Sequence, residues 1–310
     1  MRAFFITAFA VATITQQASA QSECWISATV SECNAIAQHA QMAQAGAGIA
    51  FAGGNPVPGA SSTLGMRIRR IPRITVAVRG TGAFMNLQSV RTENSGDGEK
   101  GIARTINLDA AVGLLSGWSI APTIGGFGSL DLVASVGRLS MPDEFSEAGN
   151  SWAIGARLGI LRESFTAPGL SVTGMYRSIG DMRYNTTEAC EVDACDATYE
   201  LADNSVMSVR AVVGKRLFVL GANAGVGYDT FSGQPSVLLG SIGGGTYPEL
   251  EQDRFTAFAN IAWTMLLLNI VVEGGYQRGN GEFEAPLPAQ YESRTEKSTY
   301  YGTLAIRLAL

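Results

Sequence analysis

The sequence predicts an all-β protein, an antiparallel transmembrane β-barrel of about ten strands with a short, partly helical N-terminal segment. Three observations predict it. The chain ends on a clean alternation from Ser298 to Leu310, with Tyr300, Gly302, Leu304, Ile306, Leu308 and Leu310 on one face and Tyr301, Thr303, Ala305, Arg307 and Ala309 on the other. About ten segments of period two are joined by links that are alternately long and, for the most part, short. The two faces of these segments differ in kind, one apolar and aromatic, the other smaller and polar with charges, as in strands between lipid and an aqueous lumen.

Taken in order, residues 1–20 have the three parts of a signal peptide. Arg2 precedes an apolar core, Ala3 to Ala12, and a small-x-small site at Ala18-Ser19-Ala20 predicts cleavage before Gln21. The apolar run is too short to span a bilayer as a helix, and no lipobox precedes Cys24. Removing Arg2 from 22 basic residues leaves 21 against 27 acidic ones, a mature net charge of -6. Such a surface excludes nucleic acid as a partner, since that binding rests on neutralising phosphates. With 37 glycines and a mean hydropathy of +0.13, the composition suits strands that need not wrap a dry core.

Residues 21–72 form an N-terminal segment different in kind. Ser31 to Ala52 is rich in Ala, Gln and Gly and predicts a short helix beginning near Ser31, with Glu32 in its first turn. His39, the only histidine, is expected there as a solvated residue. Gly53-Gly54-Asn55-Pro56-Val57-Pro58-Gly59 must be irregular, because Pro removes donors and Gly admits unusual angles. This weakly charged stretch either folds back into the lumen as a plug or lies in the periplasm. Cys24 with Cys33, and Cys190 with Cys195, form two close pairs. In an oxidising compartment they predict two short-range disulfides. Glu191, Asp193 and Asp196 beside the second pair make a metal site the rival, but no histidine is near.

Residues 73–310 are the barrel, with strands at 73–89, 101–115, 126–140, 150–163, 169–184, 203–214, 218–232, 253–266, 270–280 and 298–310. Links near 90–100, 141–149, 185–202, 233–252 and 281–297 are long. Those at 164–168, Lys215-Arg216-Leu217 and Leu267-Leu268-Asn269 are tight, and the one around Trp118 to Gly125 is the exception. Short turns in such barrels face the periplasm. The polar face carries Arg79, Asp109, Asp131, Arg157, Arg177, Arg210, Asp229, Glu273 and Arg307, which are expected to point into the lumen and stay hydrated. At similar heights on adjacent strands, Arg79 should meet Asp109, Asp131 should meet Arg157, and Glu273 should meet Arg307. The network is either the barrel's polar filling or a solute-selecting constriction.

The terminal strand, with apolar residues at every second place and tyrosines near its start, resembles the C-terminal signal of Gram-negative outer-membrane β-barrel proteins, with Leu310 where that signal carries Phe. The resemblance implies the bacterial outer membrane, with outer-membrane lipid and the barrel-assembly machinery as partners. Asn55-Pro56, shortly before the first strand, is similar to an Asn-Pro-Ala element near the hatch of outer-membrane long-chain fatty-acid transporters, with Val57 in place of Ala.

Catalytic chemistry is not written in the sequence. No histidine lies on a strand or loop of the barrel, and there is no Gly-x-Ser-x-Gly elbow, phosphate loop or His-rich metal motif. No enzyme, metal or cofactor is expected. The functional expectation is a narrow channel or passive transporter for a small or hydrophobic solute; the alternative is a non-conducting structural or surface-binding barrel that uses its long outer loops.

Overall fold

A computed structural model describes residues 30–66, 71–87, 99–121, 124–142, 145, 149–186, 197–239, 243–246, 250–279 and 298–310. One helix, α1 (Val30–Ala52), precedes fourteen strands among these residues: β1 (Ile74–Leu87), β2 (Glu99–Leu115), β3 (Trp118–Ala121), β4 (Ile124–Phe127), β5 (Ser129–Ser140), β6 (Asn150–Leu161), β7 (Gly169–Ile179), β8 (Met182–Thr186), β9 (Ala197–Leu217), β10 (Leu220–Leu239), β11 (Gly243–Thr246), β12 (Leu250–Met265), β13 (Leu268–Gly279) and β14 (Thr299–Ala309). Ten of them form the wall, in the order β1, β2, β5, β6, β7, β9, β10, β12, β13, β14. Every neighbouring pair is antiparallel, and β1 pairs with β14, from Thr75 opposite Ala309 to Phe84 opposite Tyr300. The sheet closes on itself. This closed ten-stranded barrel is the predicted fold, and closure removes the unpaired edges that an open sheet would expose.

The exterior is apolar. Val78, Ile106, Leu108, Val136, Trp152, Ile154, Val209, Val226, Ile261, Val272, Leu304 and Ile306 all point outward and are exposed. Aromatic residues gather at one height on that surface, since the register sets Tyr228 opposite Phe255, Tyr276 opposite Tyr300, and Tyr300 opposite Phe84. A second apolar rim lies at the turns at the other end, where Phe165, Phe218 and Leu266 are almost fully exposed. From Phe218 to Tyr228 the strand advances roughly 33 Å at ~3.3 Å per residue, about 25 Å of height at a tilt of ~40°. An apolar band of that height between an aromatic and an apolar rim is the dimension of a bilayer's hydrocarbon core with its interfacial anchors. The protein is a transmembrane β-barrel.

Two tight turns differ from the sequence reading. Lys215, Arg216 and Leu217 belong to β9, and the turn is Phe218-Val219; β12 and β13 are likewise joined by Leu266-Leu267. The usual Gly or Asn signal is missing, and Phe218 and Leu266 instead adopt positive φ, 56° and 53°. Bulky apolar residues at these tips fit an interfacial position rather than a solvated loop. The long link after β2 contains the small hairpin of β3 and β4.

At the opposite end, β9 and β10 continue past the membrane band, with β8 added beside β9 and β11 beside β10. A register shift between Ser232 and Gln234, with Asp203 at φ 51°, turns Tyr199 and Leu201 inward above it.

Candidate functional site

The lumen is filled by the chain's own N-terminal segment. Helix α1 runs down the barrel axis, contacting β1, β2, β5, β9, β10 and β14, and its described residues from Gln38 to Phe51 are all buried. Its composition explains how it fits. A Cβ on Gly46 would overlap the Met85 thioether, and one on Gly48 would overlap the Phe231 ring, so glycine is what lets wall side chains close on the helix. In the outer half of the lumen, Met42, Ile49 and Phe51 pack with Met85, Leu139, Leu201, Val206 and Phe231 into one apolar core.

His39 is part of that core and is not solvated. Its Nδ1 lies 2.7 Å from the Tyr199 hydroxyl, and its ring packs against Phe145, Tyr184 and Tyr199. Tyr199 stands about 20–25 Å above the outer aromatic rim, counted along β9. His39 therefore lies beyond the membrane band, and burial there holds its imidazole down to about 3, so that it is neutral. The helix enters from the end of the barrel opposite the tight turns, the outer end if those turns face the periplasm as the sequence reading expects, and ends near mid-barrel.

The end of the helix is clamped by the charges the sequence had marked. Gly53, at φ 59°, caps it by donating its N–H to the Ile49 carbonyl at 2.8 Å. Arg79 donates to the Ala52 and Phe51 carbonyls at 2.9 and 3.1 Å, Thr105 to the Ala50 carbonyl at 2.7 Å, and Asn107 to Phe51 at 3.4 Å. A cation against the last carbonyls satisfies orphan acceptors and complements the helix dipole. Arg177 stacks its guanidinium 5.7 Å from the Phe51 ring centroid and donates to Ser151 at 3.0 Å. Below the helix, Glu273 accepts from the Gly54 N–H at 2.8 Å, the Asn55 N–H at 3.1 Å and the Asn260 amide at 3.0 Å.

Residues 53–64 then descend to the inner end. The Asn55 carbonyl oxygen accepts from the Val57 N–H at 3.2 Å and its amide donates to the Ala60 carbonyl at 3.1 Å. Turn chemistry thus accounts for the Asn-Pro pair. Asp131 accepts from the Leu64 N–H at 2.9 Å.

Three ion pairs hold the clamp from behind. Arg79 meets Asp109 at 3.0 Å, Arg157 meets Asp131 at 2.6 Å, and Arg210 meets Asp229 at 2.7 Å, with side chains at most 5% exposed. These charges are buried rather than open to a hydrated lumen as expected, because the plug packs against them. Asp229 also accepts from Thr256 and Gln277, both at 2.8 Å. The expected contact between Glu273 and Arg307 is not made. Glu273 stands opposite Thr303, and Arg307 opposite Asn269. Four residues of strand separate the two charges, roughly 13 Å. The proposed pairing of Cys24 with Cys33 and of Cys190 with Cys195 lies outside the described residues: Cys33 falls in α1, but its side chain is not among them.

Comparison with known proteins is sparse. No protein-family model matches the chain, and no curated protein matches it. Among solved structures it is similar to the translocator domain of the autotransporter NalP from Neisseria meningitidis, with 10% identity, 91% of this chain and 99% of that one covered, and a TM-score of 0.46. It is also similar to the outer membrane protease OmpT from Escherichia coli, at 11% identity, 77% and 96% coverage and a TM-score of 0.38. The toluene transporter TodX from Pseudomonas putida matches at 10% identity, 84% and 96% coverage and a TM-score of 0.35. Likeness at this level carries no argument about activity.

Proposed function

We propose that the protein is a plugged outer-membrane conduit for a small or hydrophobic solute, closed at rest by α1 and residues 53–64. The observation that carries this reading is the clamp: Arg79, Thr105, Asn107 and Glu273 spend their hydrogen bonds on the backbone of the helix end and the turn after it. A network that only filled the barrel would be satisfied within the wall. The outer half of the wall supports a hydrophobic solute, because Met85, Leu139, Val206, Phe231 and Phe258 would line the path once the helix withdrew. The aromatic surroundings of His39 support a non-enzymatic role.

A second reading, a non-conducting barrel that binds a surface partner, is favoured by the extension of β8 to β11 beyond the membrane band. Single-channel recording of the full chain in planar bilayers separates the two. The conduit reading expects a closed baseline with brief openings, and a persistent open pore when residues 30–60 are removed. Silence of both forms, with the heat-resistant folded band retained on a gel, would favour the second reading.

A further inference from the structure

Beneath the plug, at the inner end of the barrel, lies a cavity of about 440 Å³ between residues 59–64 and the wall. Its charge is one-sided. Arg73, Arg162, Lys215, Arg216 and Arg307 line it, against Glu163 and the carboxyl end at Leu310.

Much of that cationic capacity is already used. Lys215 donates to the Ser164, Phe165 and Ala167 carbonyls at 2.7, 2.7 and 3.2 Å. Arg162 donates to the Ser116 carbonyl at 2.7 Å, and Glu163 accepts the Arg216 backbone N–H.

Arg307 is different. It is 7% exposed, and its Nε and Nη1 have no hydrogen-bond partner. Of the cations near it, Arg216 lines the same cavity and Arg157 is already paired with Asp131. Its cross-strand neighbour is Asn269, whose carbonyl oxygen is taken by the Thr264 hydroxyl at 2.7 Å. Its amide is left as a further donor beside the guanidinium. A buried guanidinium at the wall of a cavity, with two of its donors unpartnered, lacks an acceptor of opposite charge.

We infer that this inner vestibule binds an anionic oxygen group, a carboxylate or a phosphate, with Arg307 as the principal donor and Asn269 beside it. The planar fork of Arg suits two oxygens of one group. Arg162 and Arg216 supply the surrounding positive potential, which also draws an anion to the mouth. Two sources offer this chemistry, a free anion at the inner mouth or the headgroup of an anionic phospholipid in the adjoining leaflet. The inference does not depend on whether the barrel conducts.

The test is calorimetric titration of the full-length protein in neutral detergent with inorganic phosphate, repeated with Arg307→Met and Asn269→Asp. The second variant places a carboxylate opposite Arg307, occupying its donors from within and adding no bulk. Saturable binding that weakens at least tenfold in both variants, each retaining its heat-resistant folded band, is the expected result. The lipid arm uses nanodiscs of phosphatidylglycerol and of phosphatidylcholine. A thermal shift found only with phosphatidylglycerol and lost in both variants identifies the headgroup as the source, whereas phosphate binding alone identifies a free anion. Binding to neither probe, or binding unchanged in Asn269→Asp, would overturn the inference.

Discussion

Replacing Glu273 by Gln should release the plug while sparing the barrel. The carboxylate makes three hydrogen bonds, one to Gly54 through Oε1 and two, to Asn55 and Asn260, through Oε2. Gln keeps the volume and one acceptor, but its amide nitrogen turns donors toward the two donors that Oε2 had satisfied. Hydrogen bonds to a charged group are worth roughly 1.5–3 kcal/mol each, and a buried donor left without an acceptor adds its desolvation cost. If Asn260 flips to recover one bond, the net weakening is about 3 kcal/mol. At 1.4 kcal/mol per factor of ten, the undocked population rises roughly a hundredfold. The ladder between β13 and its neighbours is backbone hydrogen bonding and stays intact. The assay is maleimide labelling of Ser61→Cys in a background lacking the native cysteines, since Ser61 is 2% exposed in the docked segment and Cys is nearly isosteric with it. The labelling rate should rise about a hundredfold while the heat-resistant band persists. An unchanged rate in an intact barrel would refute the clamp.

Two further perturbations test the lipid face and the outer end of the helix. Ile261, 62% exposed on the outer surface, should destabilise the barrel by roughly 2–4 kcal/mol when changed to Arg; equilibrium unfolding in lipid should show little change for Ile261→Leu, and equal effects would mean the residue does not face the bilayer. His39, held down to about 3 by burial, binds a proton more readily once undocked, near its ordinary ~6.5. The undocked state therefore gains protons first, and docking is full above about pH 6.5 and weakens toward pH 3, by roughly 1.4 kcal/mol per unit. Ser61→Cys labelling should accelerate between pH 7 and pH 4.5, and His39→Phe should flatten that dependence. The same slope in His39→Phe would assign it to another group.

The barrel was legible because lipid on one side imposes period two on every strand. Val76, Val78, Ile106 and Leu108 declare the outer face, and Arg79 and Asp109 the inner one, without knowledge of any partner. Register between strands was less legible. Arg79 with Asp109 and Asp131 with Arg157 survive small errors of height, but Glu273 with Arg307 needed β14 to be placed correctly against β13, and the true register sets them four residues apart. Turn positions were shifted because Phe218 and Leu266 occupy a backbone conformation that bulky residues rarely adopt.

The helix was read from near Ser31, close to its observed start at Val30, but its seat in the lumen was harder to read, since its apolar surface is built from Ala and Gly whose smallness has meaning only against Met85 and Phe231. His39 was misplaced for the same reason. The rings that bury it, Phe145, Tyr184 and Tyr199, come from segments more than a hundred residues further along the chain. Alternation can show that a residue faces inward, but not whether water or another part of the chain meets it there.

The central claim is that the helix is seated inside the barrel, and a cross-link tests it most directly. A Cβ on Gly46 would lie 3.6 Å from the Met85 Cβ, within the roughly 3.5–4.5 Å that a disulfide spans. In a background without the native cysteines, Gly46→Cys with Met85→Cys should oxidise nearly completely in the folded, membrane-inserted protein. Gly46→Cys with Phe84→Cys, whose second position faces lipid, should not. Equal and low cross-linking of both pairs would place the helix outside the lumen and contradict the account.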